Sequence, residues 1–108
     1  MLEDKFENIQ KRFVELERLL ADPEVISDQS KYQKLAKEYS DLAPLVEAIK
    51  KYVETVSHIK ETEALLKDEP DSQMKELAQA ELDDLEKQKE ELQTHLDDLL
   101  NPKKQVKD

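Results

Sequence analysis

The chain has 108 residues, a formal net charge of −10, 41% charged and only 5% aromatic residues, and neither glycine nor cysteine. Without glycine there is no P-loop or GxGxxG nucleotide loop and turns that need positive φ are disfavoured, and without cysteine there is no disulfide, thiolate metal site or thiol nucleophile. The length suits one domain, and the composition suits long helices or disorder and disfavours a sheet.

The acidic balance repels nucleic-acid phosphates and anionic membrane at long range, so nucleic acid would be approached through a protein partner or a local basic patch. The densest basic cluster is KKQVK near the C-terminus, which reads as a solvated tail. The opening MLEDKFENIQ has no apolar run of signal-peptide length, and no stretch is apolar enough to span a membrane. The expectation is a soluble, cytoplasmic protein without a membrane partner.

Periodicity decides for helix over disorder. Leu2, Phe6, Ile9, Phe13, Leu16 and Leu20 alternate spacings of four and three, a heptad seam, with Val14 and Leu19 widening the stripe. The helix is expected over 2–21, because Pro23 cannot sit in its interior and pushes Asp22 out of the α region. The stretch ADPEVISDQSKY then reads as a connector. In it Val25 and Ile26 are expected to plug the open end between the first two helices, and Ser27 or Asp28 to cap the second.

The second helix is expected over 28–67. Its seam is Tyr32, Leu35, Tyr39, Leu42, Val46, Ile49, Val53 and Val56, shifting phase through Ile59 towards Leu65 and Leu66. Pro44 lies inside it. The seam keeps phase across the proline, and Ala43 would be a poor N-cap for a new helix, so one helix kinked at Pro44 is expected. DEPDSQ (68–73) is the next turn, with Asp71 or Ser72 capping a third helix over 72–100. The third seam is Ala78, Leu82, Leu85, Leu92, Leu96 and Leu99, with Lys89 at a position the heptad would make apolar. Helices of roughly 30, 60 and 45 Å joined by short links imply an all-α, elongated three-helix antiparallel bundle or coiled coil. Its domain would span 1–100, with 101–108 as a linker or tail and a bare two-helix coiled coil from about Val56 to Leu82.

Candidate chemistry is sparse. His58 and His95 lie on different helices, and His95 with Asp98 supplies only two of the ligands a metal site needs. The pairs Asp83–Asp84, Glu90–Glu91 and Asp97–Asp98 point about 100° apart on a helix and do not converge as general acid and base. Ser27, Ser30 and Ser40 have no neighbouring base. Tyr32 and Tyr39 lie on the seam, so core packing outweighs a base-stacking platform, while Tyr52 flanks it. No catalytic, cofactor-binding or metal-binding residue is assigned. The residues alone imply a helical binding or scaffolding module.

The order of residues adds a resemblance. DPEVISDQSKYQKLAKEYSDLAPLVEAIKKY (22–52) resembles the N-terminal domain of bacterial class I peptide chain release factors, in DPEVI, in SD before the long helix, in KEY at 37–39 and in LAPLVEAI around Pro44. LEDKFENIQKRFVELERLL and ELAQAELDDLEKQKEELQTHLDDLLNPK are similar to that family more generically, so the likeness covers essentially the whole chain. DPEV followed by ISD resembles the release factor 1 type, which reads UAA and UAG. The release factor 2 type usually carries a tryptophan near this position, and this chain has none.

The resemblance implies an isolated N-terminal domain. The family's hydrolytic Gly-Gly-Gln motif needs glycine. Its codon-reading Pro-x-Thr motif is not matched by the four prolines, which are followed by EV, LV, DS and KK. It further implies a non-catalytic arm near the GTPase-associated centre of the large ribosomal subunit, by ribosomal protein L11, and interplay with the class II release factor. Little direct nucleic-acid contact is implied. A free-standing helical adaptor or chaperone-like coiled coil stays open beside it. A nucleic-acid-binding helical arm of the synthetase kind is disfavoured by the acidic surface.

Overall fold

In the computed structural model the described residues run from 2 to 101, and the side chain of Leu2 is outside the description. Among the described residues all regular structure is helical: α1 (Leu2–Leu20), α2 (Pro23–Ile26), α3 (Gln29–Asp68) and α4 (Ser72–Leu100). The all-α expectation holds, and the three long helices lie within a residue of their expected bounds. The chain folds as two compact units, one up to Glu47 and one from Ala48 onward, so α3 contributes to both.

The first unit contains α1, α2 and the start of α3. Early α1 residues such as Lys5 and Asn8 line a groove with Leu42, whereas Glu17 reaches Tyr39, so α1 and α3 run antiparallel here. Phe6, Leu16, Val25, Leu45 and Val46 are buried, and Leu16 is wholly inaccessible. Glu3 and Asp4 in the first turn of α1 and Arg18 in its last suit the helix dipole.

The connector is more ordered than a turn. Asp22 is the N-cap of α2, accepting from the Glu24 N–H at 2.9 Å, and Pro23 sits in its first turn, where a missing N–H costs nothing. Ser27 closes α2, its Oγ donating to the Glu24 carbonyl, so it does not begin α3. That task falls to Asp28, whose Oδ1 accepts from the Lys31 N–H at 3.2 Å. The expected plug is half right: Val25 is 3% exposed, but Ile26 is 54% exposed. In a one-turn helix adjacent residues point about 100° apart, so the two cannot both face inward.

α3 runs unbroken through Pro44. The proline and Ser40, whose carbonyl loses its partner, are both exposed, so water can take up the missing bond. In the second unit, Tyr52 meets Gln93 and His58 meets Glu81, so α4 runs antiparallel to the second part of α3. Ala48, Ile49, Thr55, Ile59, Thr62, Leu85 and Leu96 are buried.

The α4 seam follows its expected positions: Ala78, Leu82, Lys89, Leu92 and Leu99 are half-buried around Leu85 and Leu96. The α3 seam departs from the expectation. Val53 is 51% and Leu65 66% exposed, while Thr55 and Thr62 take buried positions. The Thr55 hydroxyl donates to the Lys51 carbonyl at 2.8 Å, which lets a polar residue sit on a seam without an orphaned group. Val14, expected to widen the α1 stripe, is 62% exposed, and Tyr32 lies at the rim. Asp71 caps α4, accepting from the Gln73 N–H at 2.9 Å. Of the expected tail, Asn101 is the C-cap of α4, and residues 102–108 lie outside the described residues.

Two stability changes follow. Val25→Ser is expected to lower stability by about 2 kcal/mol and Ile26→Ser by little, read as separate melting temperatures. Pro44→Ala restores a hydrogen-bond donor to an exposed helical position and is expected to raise the melting temperature, by up to about 3 kcal/mol of stabilisation.

Candidate functional site

The polar residues on the seam flanks are engaged in holding helices together. Arg12 forks onto Glu38, Nε to Oε2 and Nη2 to Oε1 at 2.7 Å each, while Nη1 donates to Glu15 at 3.0 Å. Next to this fork, Phe13 and Tyr39 stack with centroids 4.4 Å apart, and the Tyr39 hydroxyl donates to Glu17 at 3.1 Å. One face of Tyr39 is therefore occupied by Phe13 and is closed to a nucleobase. Tyr52 accepts from the Gln93 side-chain amide at 3.2 Å. The sequence signal for the Arg12 fork was available, since Arg12 and Glu38 each adjoin a seam aromatic, where heptads place their interhelical ion pairs.

The remaining candidates are dispersed. His58 Nε2 lies 3.2 Å from Glu81 Oε2, with both side chains about half exposed. His95 sits elsewhere, in an open groove with Lys51, Glu54, Thr55, Gln88, Glu91 and Leu92. Among the described residues no group of three or more histidine, aspartate or glutamate side chains converges to hold a metal ion. Asp83 and Asp84 accept from the Gln79 and Gln88 amides one turn away, as helix-surface groups do. Asp97 accepts from the Asn101 side chain at 3.0 Å and so belongs to the α4 terminus. Ser27 is bonded within α2, and Ser30 and Ser40 are exposed on α3.

Charge is unevenly placed. α4 carries nine carboxylates against three lysines, whereas α3 carries equal numbers of each sign. Among the described residues no helix is long and apolar enough to cross a membrane. What the arrangement offers is helix surface: acidic along α4, and apolar at Val14, Ile26, Val53, Leu65, Met74 and Leu77.

The fold and these surfaces define an all-helical module of the antiparallel, seam-packed kind. Residues 9–108 match the PCRF domain family, and the chain belongs to that family. It is 46% identical over 100 residues to peptide chain release factor 1 of Agathobacter rectalis, covering 93% of this chain and 28% of that protein. To the protein of the same name from Geobacter metallireducens it is also 46% identical over 100 residues, covering 93% and 27%. To that of Desulfitobacterium hafniense it is 41% identical over 102 residues, covering 94% and 29%. The chain thus spans less than a third of the length of these relatives. No solved structure matches it.

The Arg12 fork gives a pH prediction. Hydrogen bonding to Arg12 holds the Glu38 carboxyl below its ordinary value of 4.5, against the opposing effect of partial burial. A carboxylate whose folded pKa is depressed stabilises the fold above its unfolded value, and that contribution is lost as pH falls through the folded value. Glu38→Gln is expected to lower the melting temperature slightly at pH 7, since both partners are partly exposed and solvent screens them. The difference from the unaltered chain should shrink as pH falls below 4.5 and close once pH is below the depressed value of Glu38; a gap undiminished in strong acid would exclude this origin.

Proposed function

We propose that the chain is the N-terminal domain of a translation termination factor of the release factor 1 kind, which directs peptidyl-tRNA hydrolysis at UAA and UAG on the ribosome. The observation that carries this reading is the family match across residues 9–108 together with the similarity to release factors 1 over more than nine-tenths of the chain. In this reading residues 1–100 form the domain and 101–108 lead onward, and the protein works in the cytoplasm. The domain itself is non-catalytic and serves as an interaction arm. Its partners are the GTPase-associated centre of the large subunit with ribosomal protein L11, and the class II release factor. The acidic surface of α4 favours basic protein surfaces over RNA as the direct contact.

A domain exchange tests it. Residues 1–101 replace the matching segment of the Geobacter metallireducens relative, and peptide release is measured on ribosomes programmed with each stop codon. The chimera is expected to release peptide at UAA and UAG and not at UGA, and the isolated chain to release none. A folded chimera that binds ribosomes no better than a domain-deleted factor would count against the arm. Codon-dependent hydrolysis by the isolated chain would overturn its non-catalytic assignment.

A further inference from the structure

The end of the α3–α4 hairpin carries three large apolar side chains that the hairpin leaves uncovered: Leu65, 66% exposed, Leu77, 65%, and Met74, 50%. Single exposed apolar residues are ordinary, whereas a group on one face marks an interaction site. The His58–Glu81 contact places these three on one face. At 3.2 Å, the two side chains must lie on the same side of the hairpin. Leu65 is seven residues beyond His58, and Leu77 is four residues before Glu81, spacings that bring a helix back to the same face. Met74, three residues before Leu77, joins them. The seam faces elsewhere, through Ile59, Thr62 and Leu66 on α3 and Ala78, Leu82 and Leu85 on α4.

Apart from His58, which lies against Glu81, the ionisable side chains on this face share one sign. Glu61 stands four residues before Leu65 and Asp68 three after it; Glu81 and Asp84 stand four and seven after Leu77. The lysines nearest in sequence, Lys60, Lys67 and Lys75, stand five or two residues from these leucines, spacings that turn them to other faces. An apolar centre with a carboxylate rim is the complement of an apolar pocket rimmed by lysine or arginine. A nucleic acid would meet carboxylates where it needs cations, and a second copy would set like charges against each other.

We infer that the Leu65–Met74–Leu77 face docks on a basic protein surface of the ribosome. This rests on the ribosomal reading above and adds to it the face that makes the contact.

The test measures equilibrium binding of the fluorescently labelled chain to purified bacterial 70S ribosomes. Leu65→Ser with Leu77→Ser is expected to weaken binding about tenfold or more without lowering the melting temperature, because both positions are exposed. Glu61→Lys with Asp84→Lys, which touches no apolar contact, is expected to weaken it as well. Val14→Ser, at an exposed apolar position on α1, is expected to leave it unchanged. A benzophenone cross-linker at Gln73, four residues before Leu77 on the same face, is expected to label a ribosomal protein. Unchanged affinity of either paired variant, or equal weakening by Val14→Ser, overturns the face while leaving the ribosomal reading in place. Labelling of ribosomal RNA alone, or a dimer that the leucine variants dissolve, overturns it in favour of those occupants. No ribosome binding by the unaltered chain overturns the ribosomal reading and this inference with it.

Discussion

Where all regular structure among the described residues is helix, backbone hydrogen bonds close within each helix or cap, so only side chains can hold one helix to another. Here the side chains available are few. Among the described residues Leu16 and Ile49 are the wholly buried large side chains, and the buried set on α3 includes two threonines. A seam this thin supplies burial but discriminates weakly between registers, because any heptad slip would still bring apolar groups together. The Arg12 fork supplies that discrimination in the first unit. Two 2.7 Å bonds to one carboxylate demand a single relative placement of α1 and α3, and the Phe13–Tyr39 stack beside it demands the same one.

What was legible in the sequence follows from what a heptad encodes. The three long helices and their bounds came through because spacing, caps and prolines act locally, whereas the one-turn α2 inside the connector was not expected. Pro44 was readable as an interior proline because the apolar phase is the same on both sides of it. Side-chain placement was less legible, because a pattern credits every apolar residue near the stripe to the seam. A helix paired along one narrow seam covers only part of its circumference, so Val14, one residue past Phe13, and Val53, one past Tyr52, point away from it. Thr55 was invisible for the opposite reason: its polarity is cancelled by its own helix through the Lys51 carbonyl, which no hydropathy pattern registers. Leu65 lies on the expected α3 seam, whereas Met74 and Leu77 lie off the expected α4 seam, and the three become one face only when burial is known.

The family, by contrast, was carried by residue order and not by periodicity. DPEVISD combines a one-turn helix, its cap and the cap of the following helix. Asp22, Pro23, Ser27 and Asp28 each have a distinct backbone task there, and Val25 fills a buried position. Five constrained positions in seven residues give such a segment far more identity than a heptad has. A heptad accepts almost any apolar residue at its core and almost any polar residue outside it.

The charges of α4 suggest that its surface is shaped by something other than its own stability. In α1 and α3 cations stand within a turn of carboxylates, as in Lys11–Glu7, Arg12–Glu15 and Lys37–Asp41, which favours the helix. In α4 the groups bonded to Asp83 and Asp84 are the neutral amides of Gln79 and Gln88, and nine carboxylates share three lysines, with Lys87 within a turn of Asp83, Asp84 and Glu90 and Lys89 within a turn of Glu86. Asp83, Glu86 and Glu90 follow at spacings of three and four residues, so their repulsion, offset only in part by Lys87 and Lys89, works against the helix they stand on. Packing requires none of them, since all three are exposed. A charge kept on a surface at some cost to the fold is accounted for when its neutralisation comes from outside. A basic protein partner would relieve the repulsion on docking, and added salt would relieve it without one, so the affinity of such a contact should fall with ionic strength while the stability of the free helix rises.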